Sequence, residues 1–245
     1  MVSLLRRIFK AFTRGKDSAT LSRNAIAPPL LQVRELSPRQ RQAVELAHGA
    51  HAAFDKEAAK LGNAMATPSG TSNIACFGGC SHCCSLYVSA TPTELVLIEA
   101  YIAGLDTVSA AAIRGRIKRA HHRASGKNML QRSVNRLPCP LLTEEGTCSV
   151  YEARPVSCRA YVSFDRSACA SDERMPARDI PVPRSQTLVN MRTQIFSQLN
   201  RYEEEQGFAS GSYELVQGLH TLLASSSAIG SICAGKNPLV MARTR

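Results

Sequence analysis

Four cysteines fall within nine residues of the stretch "CFGGCSHCCS" (76–85): Cys76, Cys80, Cys83 and Cys84. Thiols two to four residues apart can bring their sulfurs to one ion without long-range folding. Structural zinc sites and iron–sulfur clusters are spaced this way along a chain. The ligand form is the thiolate, so such a loop must also stabilise negative charge. Gly78 and Gly79 permit a tight, positive-φ turn in which backbone N–H groups point at sulfur. The adjacent Cys83 and Cys84 cannot form an ordinary strainless disulfide with each other. On a turn, they can serve one cluster or two neighbouring ions.

Cys139, Cys148, Cys158 and Cys169 form a second, looser set. The ninth cysteine, Cys233, stands apart in "AIGSICAGK" and reads as a small buried apolar residue. Nine is an odd number, so complete pairing into disulfides would leave one thiol over. The N-terminal "MVSLLRRIFKAFTRGK" is not a secretory signal, because Arg6, Arg7 and Lys10 interrupt its apolar residues. Leu4, Leu5, Ile8, Phe9 and Phe12 could line one face of a short amphipathic helix, but the segment reads first as a basic tail. A cytoplasmic, reducing location is therefore expected, where clustered cysteines bind metal rather than pair. Arg154 and Arg159 flank Cys158 and are expected to bond its sulfur or pair with Glu152. His82 lies inside the first cluster and reads as an exposed loop residue rather than a ligand.

The elements that must position these thiols are helical. Residues 1–36 read as a basic leader. "SPRQ" (37–40) is a helix start, with Ser37 as N-cap, Pro38 in the first helical position and Gln40 completing a capping box. Ala43, Leu46, Ala47, Ala50, Ala53, Phe54, Ala58 and Leu61 follow at helical spacing, and Gly62 is expected to end the helix. "TPTE" (91–94) repeats the device and opens a helix to about Leu105. Another helix is expected over 108–124. Residues 137–184 hold six prolines and read as loops that bury little. Two helices close the chain, over about 186–205 and 212–225. Their stripes of Leu188, Met191, Ile195, Phe196, Leu199 and Tyr202, and of Tyr213, Val216, Leu219, Leu222 and Leu223, read as core.

"GGCSHCC", followed by "CPLL", "GTCSVYEARPVSCRAY" and a last cysteine, resembles the YkgJ-type cysteine-cluster family, a zinc- or iron-chelating family with a CxxCxxCC signature. Cys76, Cys80, Cys83 and Cys84 take the signature positions. Cys148, Val150, Tyr151, Glu152, Arg154, Pro155, Cys158 and Arg159 match the later segment, and Cys139 and Cys169 the flanking cysteines. Three residues rather than two separate Cys76 from Cys80, which moves the first sulfur by one position. The resemblance covers about 76–170 and implies metal binding by all eight cysteines. It extends to flagellin lysine N-methylases, which carry a related motif.

The metal stays open between zinc, for which eight cysteines supply two four-thiolate sites, and a 4Fe–4S cluster held by four. The formal net charge is +11. Two zinc–tetrathiolate sites would lower it to about +7 and one cluster to about +9. Much of the excess remains, concentrated between Asp106 and Glu144, where there is no acid. The basic segment 107–136 reads as a solvated helix face, with an acidic protein or nucleic acid as the other candidate partner. No aromatic is interleaved with its arginines, which argues against single-strand stacking. No 18-residue apolar run spans a membrane. GxGxxG, P-loop, HExxH and GxSxG motifs are all missing, and the "AHH" at 120–122 has no carboxylate near it in sequence.

The chain is thus expected to be mainly α, an irregular helical protein framing a cysteine-rich, loop-dense metal module. Its expected organisation is a leader (1–36), an N-terminal helix and linker (37–75), the cysteine module (76–170) and a helical extension (171–245). Its expected function is zinc or iron(–sulfur) binding in a structural or redox role. An iron–sulfur-dependent protein-modifying enzyme and a nucleic-acid-binding zinc module are the alternatives.

Overall fold

The computed structural model describes residues 36–64, 74–174 and 181–240. Apart from Leu36, the basic leader and its amphipathic face lie outside the described residues, as does most of the 63–73 loop. The protein is mainly helical.

Helix α1 (Pro38–Ala64) starts where the sequence signals it. Gln40 N donates to Ser37 Oγ (3.3 Å), and Ser37 N donates to Gln40 Oε1 (2.8 Å). Ala43, Ala47, Ala50, Ala53 and Phe54 are buried. Their small side chains let α2 (Pro92–Ala103) lie close along them. The expected stop at Gly62 is not used, and α1 runs on to Ala64. A single glycine inside a helix costs only about 1 kcal/mol against alanine, too little to end a long one.

Helix α2 opens on a complete capping box of Thr91 and Glu94. It is buried on almost every side, through Leu95, Val96, Leu97, Ile98 and Ile102, which makes it the central element of the core. Helix α3 (Thr107–Ala124) is capped by Asp106, whose side chain accepts from Ser109 N (2.9 Å). A short helix α4 (Met129–Asn135) follows and was not foreseen.

The 137–184 stretch, expected as loops, contains two helices. These are α5 (Val156–Arg159) and α6 (Arg166–Arg174). Helix α6 lacks an apolar stripe, but Asp165 caps it by accepting from Ser167 N (2.8 Å) and Ala168 N (3.0 Å). Helix α7 (Gln186–Glu205) has the expected bounds and buries Leu188, Met191, Ile195 and Leu199. Helix α8 (Leu215–Ala224) begins three residues later than expected, because Tyr213 and Glu214 form a strand, β2. Strand β2 pairs antiparallel with β1 (Ser89–Ala90). Helix α9 (Ala228–Cys233) follows, with Cys233 buried as expected and Leu239 beyond it also in the core. Among the described residues no helix is long and apolar enough to cross a membrane.

The frame therefore consists of α1, α2, α7 and α8 around one hydrophobic core, with α3 packed on α8. The cysteine-bearing segments lie against it. Helix α5 packs on α1 and α7, and the short 3-10 turn Tyr151–Ala153 packs on α2.

Candidate metal centre

The first cluster is a loop that folds back on itself. Cys80 N donates to Phe77 O (3.1 Å), with Gly79 at φ 86°, the left-handed region glycine reaches without strain. A 3-10 turn (His82–Ser85) then carries Cys83 and Cys84. Two backbone connections tie this loop to the later cysteines. Cys139 N donates to Cys84 O (2.7 Å), and Ala75 N donates to Ser163 O (2.8 Å). Ser163 N also donates to Cys76 Sγ (3.4 Å), the kind of N–H to sulfur contact that favours a thiolate. Ser163 is buried, and no sequence pattern marks it.

Cys139 and Cys148 sit at the two ends of a tight loop closed by the Leu142–Cys148 bridge and by Thr143 N donating to Thr147 O (2.7 Å). Cys158 rides on α5. Cys169 rides on α6, which packs directly on the 3-10 turn of Cys83 and Cys84. A narrow cleft between them is lined by His82, Cys83, Tyr161, Cys169 and Asp172. All nine cysteines are free thiols.

Burial is the main influence on the acidity of most of these thiols. Burial pushes Cys139 up to about 12, and charge on Cys148 and Cys83 adds to it. Burial raises Cys158 well above its ordinary value, reinforced by Cys139, Cys148 and Cys83. Burial raises Cys148 too, opposed by Arg154 and Arg159. Cys76 and Cys169 are raised mainly by burial; Cys80 and Cys83 act on both, and Cys169 also acts on Cys76. Cys83 is raised first by its hydrogen bond with Cys84 and then by burial. Without a cation these thiols stay protonated; a bound metal cation would reverse that preference.

The surroundings fit such an ion. Arg154 Nε is buried and has no hydrogen-bond partner, while Arg154 acts electrostatically on Cys83, Cys148 and Cys158. A thiolate centre would supply the negative charge that this guanidinium lacks. Among the described residues, however, no three His, Cys, Asp or Glu side chains stand in an arrangement that holds an ion. The sulfurs are gathered into neighbourhoods rather than closed into a coordination sphere.

The two arginines beside Cys158 behave differently from expectation. Arg159 does not reach the Glu152 carboxylate. It clamps the backbone carbonyls of Glu152 and Arg154 and pairs with Asp55 of α1. The Glu152 carboxylate instead accepts from Tyr101 Oη (3.2 Å). Arg154 lies over the Tyr151 ring, with its Cζ 3.9 Å from the ring centroid. Arg159 thus braces α5 against α1, and the Cys158 backbone with it. His82 pairs with Glu173 through Nδ1 (2.6 Å), so it helps hold α6 over the first cluster.

Glu94 has a second role that its capping position conceals. Oε2 accepts from Thr91 N (2.9 Å) as the capping box requires. Oε1 accepts both from Val156 N at the start of α5 (2.8 Å) and from His51 Nε2 on α1 (3.0 Å). Burial lowers the His51 pKa, so the ring is neutral and its Nε2–H donates. One buried carboxylate therefore fixes α1, α2 and the Cys158 helix together.

Four of the eight basic residues of the 107–136 segment have structural partners. Arg114 pairs with Glu99 (2.5 Å) and Arg132 with Glu214 (3.2 Å), and Arg136 pairs with Asp172. Arg116 donates to Pro140 O (2.8 Å) and Ser149 Oγ (3.0 Å), bracing the Cys139–Cys148 loop. Lys118, Arg119, Arg123 and Lys127 remain exposed at the end of α3. His121 stacks on His220 of α8, with ring centroids 3.6 Å apart.

Comparison with known families meets this geometry. Residues 75–178 match the family model CxxCxxCC, described as "Putative zinc- or iron-chelating domain". This is the cysteine-cluster family that the motifs resemble, and the match supports metal binding. The CxxCxxCC span takes in all eight clustered cysteines and leaves out Cys233, and it is under half of the 245 residues. No curated protein and no solved structure matches the chain.

Proposed function

We propose that this is a zinc- or iron-binding protein in which Cys76, Cys80, Cys83, Cys84, Cys139, Cys148, Cys158 and Cys169 hold a multi-cysteine centre of structural or redox role. The observation that supports the reading is that cysteine-bearing segments from both sides of the basic helix are joined: Cys139 N donates to Cys84 O (2.7 Å), and α6, which carries Cys169, packs on the 3-10 turn of Cys83 and Cys84. The unpartnered Arg154 Nε beside them supports it. The metal ties the loop-rich 139–169 segment to the helical frame, so part of the folding free energy there is metal binding.

The test is anaerobic purification followed by elemental analysis and an absorbance scan. Iron with acid-labile sulfide and visible absorption identifies a cluster, and colourless protein with zinc identifies structural sites. Chain that is fully folded, metal-free and indifferent to added zinc or iron would refute the proposal.

A further inference from the structure

Helix α3 has two different sides. Ala110, Ile113, Ile117, Ala120 and Ala124 are buried, and the helix packs on α8. Arg114 and Arg116 leave its edges for Glu99 and for the Cys139–Cys148 loop. Opposite the buried stripe stand Lys118, Arg119, His122 and Arg123, all exposed. Lys118 and His122, and Arg119 and Arg123, lie four residues apart, so the four side chains form one patch. Lys127, in the turn beyond, folds back on the helix end, its Nζ donating to Arg123 O (2.6 Å). Arg123 and Lys127 suit a helix C-terminus, whose carbonyls attract cations, but Lys118 and Arg119 stand more than a turn before it. The sequence has no acid between Asp106 and Glu144. Among the described residues none of Lys118, Arg119, His122 and Arg123 has an ion-pair partner. His121 stacks on His220, with ring centroids 3.6 Å apart, which fixes this end of α3 on α8. The cations are therefore presented on a packed helix.

We propose that this outer face of α3 binds the phosphate backbone of double-stranded nucleic acid. The make-up of the face selects among polyanions. Between Ser109 and Ala124 its exposed residues are Ala111, Ala112, Lys118, Arg119, His122 and Arg123. It offers no aromatic ring on which an unpaired base could stack. It offers no large apolar side chain of the kind that centres a protein–protein interface or sinks into a lipid surface. What remains is charge alone, and a duplex backbone is the partner read by charge alone, without regard to sequence. The small Ala111 and Ala112 leave room for that backbone to lie close along the helix. Beyond the turn, α4 exposes Leu130 and Val134, which makes an anionic lipid surface the rival occupant. The inference does not depend on the metal-binding reading above.

The experiment follows binding of the full chain, as purified, to short mixed-sequence DNA and RNA duplexes by fluorescence anisotropy across a salt series. Contacts to about four phosphates give a log–log salt slope of about −3 to −4, a loss of about 100-fold in affinity between about 50 and 200 mM salt. Joint substitution Lys118→Gln, Arg119→Gln and Arg123→Gln should weaken binding by about 10-fold or more at the low-salt end and flatten the slope by about 2 to 3. A control removes the same charge from exposed lysines elsewhere, by Lys56→Gln, Lys60→Gln and Lys236→Gln, and should leave affinity within about 2-fold. Far-UV circular dichroism checks that each variant folds, and Arg119→Glu alone replaces the first should it not. Absence of duplex binding overturns the proposal. So does equal weakening in the two triple variants, which would mean general basicity. Tighter binding to phosphatidylserine vesicles or to polyglutamate than to either duplex also overturns it, assigning the face to a lipid surface or an acidic protein.

Discussion

Glu94 shows how a residue with an ordinary local job can govern a distant site. It completes the α2 cap, yet the same carboxylate holds Val156 N, two residues before Cys158. Glu94→Gln keeps the shape but loses the charge and replaces one acceptor oxygen with an amide donor. That leaves the Val156 N–H or the Thr91 N–H facing an NH2 group, an unsatisfied buried contact worth about 1–3 kcal/mol. Partners that orient a ligand affect affinity by about 10–100-fold. Glu94→Gln is therefore expected to lower melting temperature and to weaken metal binding in chelator competition. Unchanged values of both would show that the carboxylate does not position Cys158. The capping box was legible in "TPTE", but the second role was not. Its partners lie 43 and 62 residues away, beyond anything a local pattern encodes.

At the scale of elements, α8 and α7 each make a close contact with α2. Gly218 of α8 faces Leu95, and a Cβ placed there would lie 2.5 Å from Leu95 Cδ1. Leu95 is fully buried and has little room to yield. Gly218→Ala should therefore destabilise the protein by about 1–3 kcal/mol in chemical denaturation, the cost of overpacking. A gain in stability, as helix propensity alone would give, would show that α2 and α8 are not so closely apposed.

Glu203 of α7 reaches the start of α2, accepting from Thr93 N (2.9 Å) and Thr93 Oγ1 (2.6 Å). Burial pushes its pKa up to about 8 from 4.5. The folded state thus holds a proton that the unfolded chain releases. The stability from this group is complete below about 4.5 and is lost as pH rises towards 8. Glu203→Gln mimics the protonated form. The stability difference between variant and parent should move in the variant's favour from pH 5 to pH 8. A constant difference across that range would mean that Glu203 does not titrate in this window. Helix starts were readable because their caps are short-range signals. Helix α6 was missed because Asp165 caps it without an apolar stripe to announce it.

For the whole molecule, the basic charge is partly tied into the fold. The chain carries +11, and several arginines that looked free in the sequence are instead structural struts. Arg114, Arg116, Arg132 and Arg136 all have partners, and Arg116 and Arg136 brace the cysteine-bearing segments. The helical class and the eight cysteines were legible from composition, spacing and motif. How the later cysteine-bearing segments lie against the first cluster was not, because nine- and ten-residue gaps leave their contacts to the tertiary fold. The central claim is that sulfurs on both sides of the basic helix meet on bound metal. Differential thiol alkylation, mapped by mass spectrometry with and without complete chelation, tests it most directly. The account predicts that cysteines of the 76–84 and 139–169 segments are both protected in the metal-loaded chain, and that both become reactive when the metal is removed. Free labelling of either segment in the loaded chain, or disulfides in place of thiols, would contradict it.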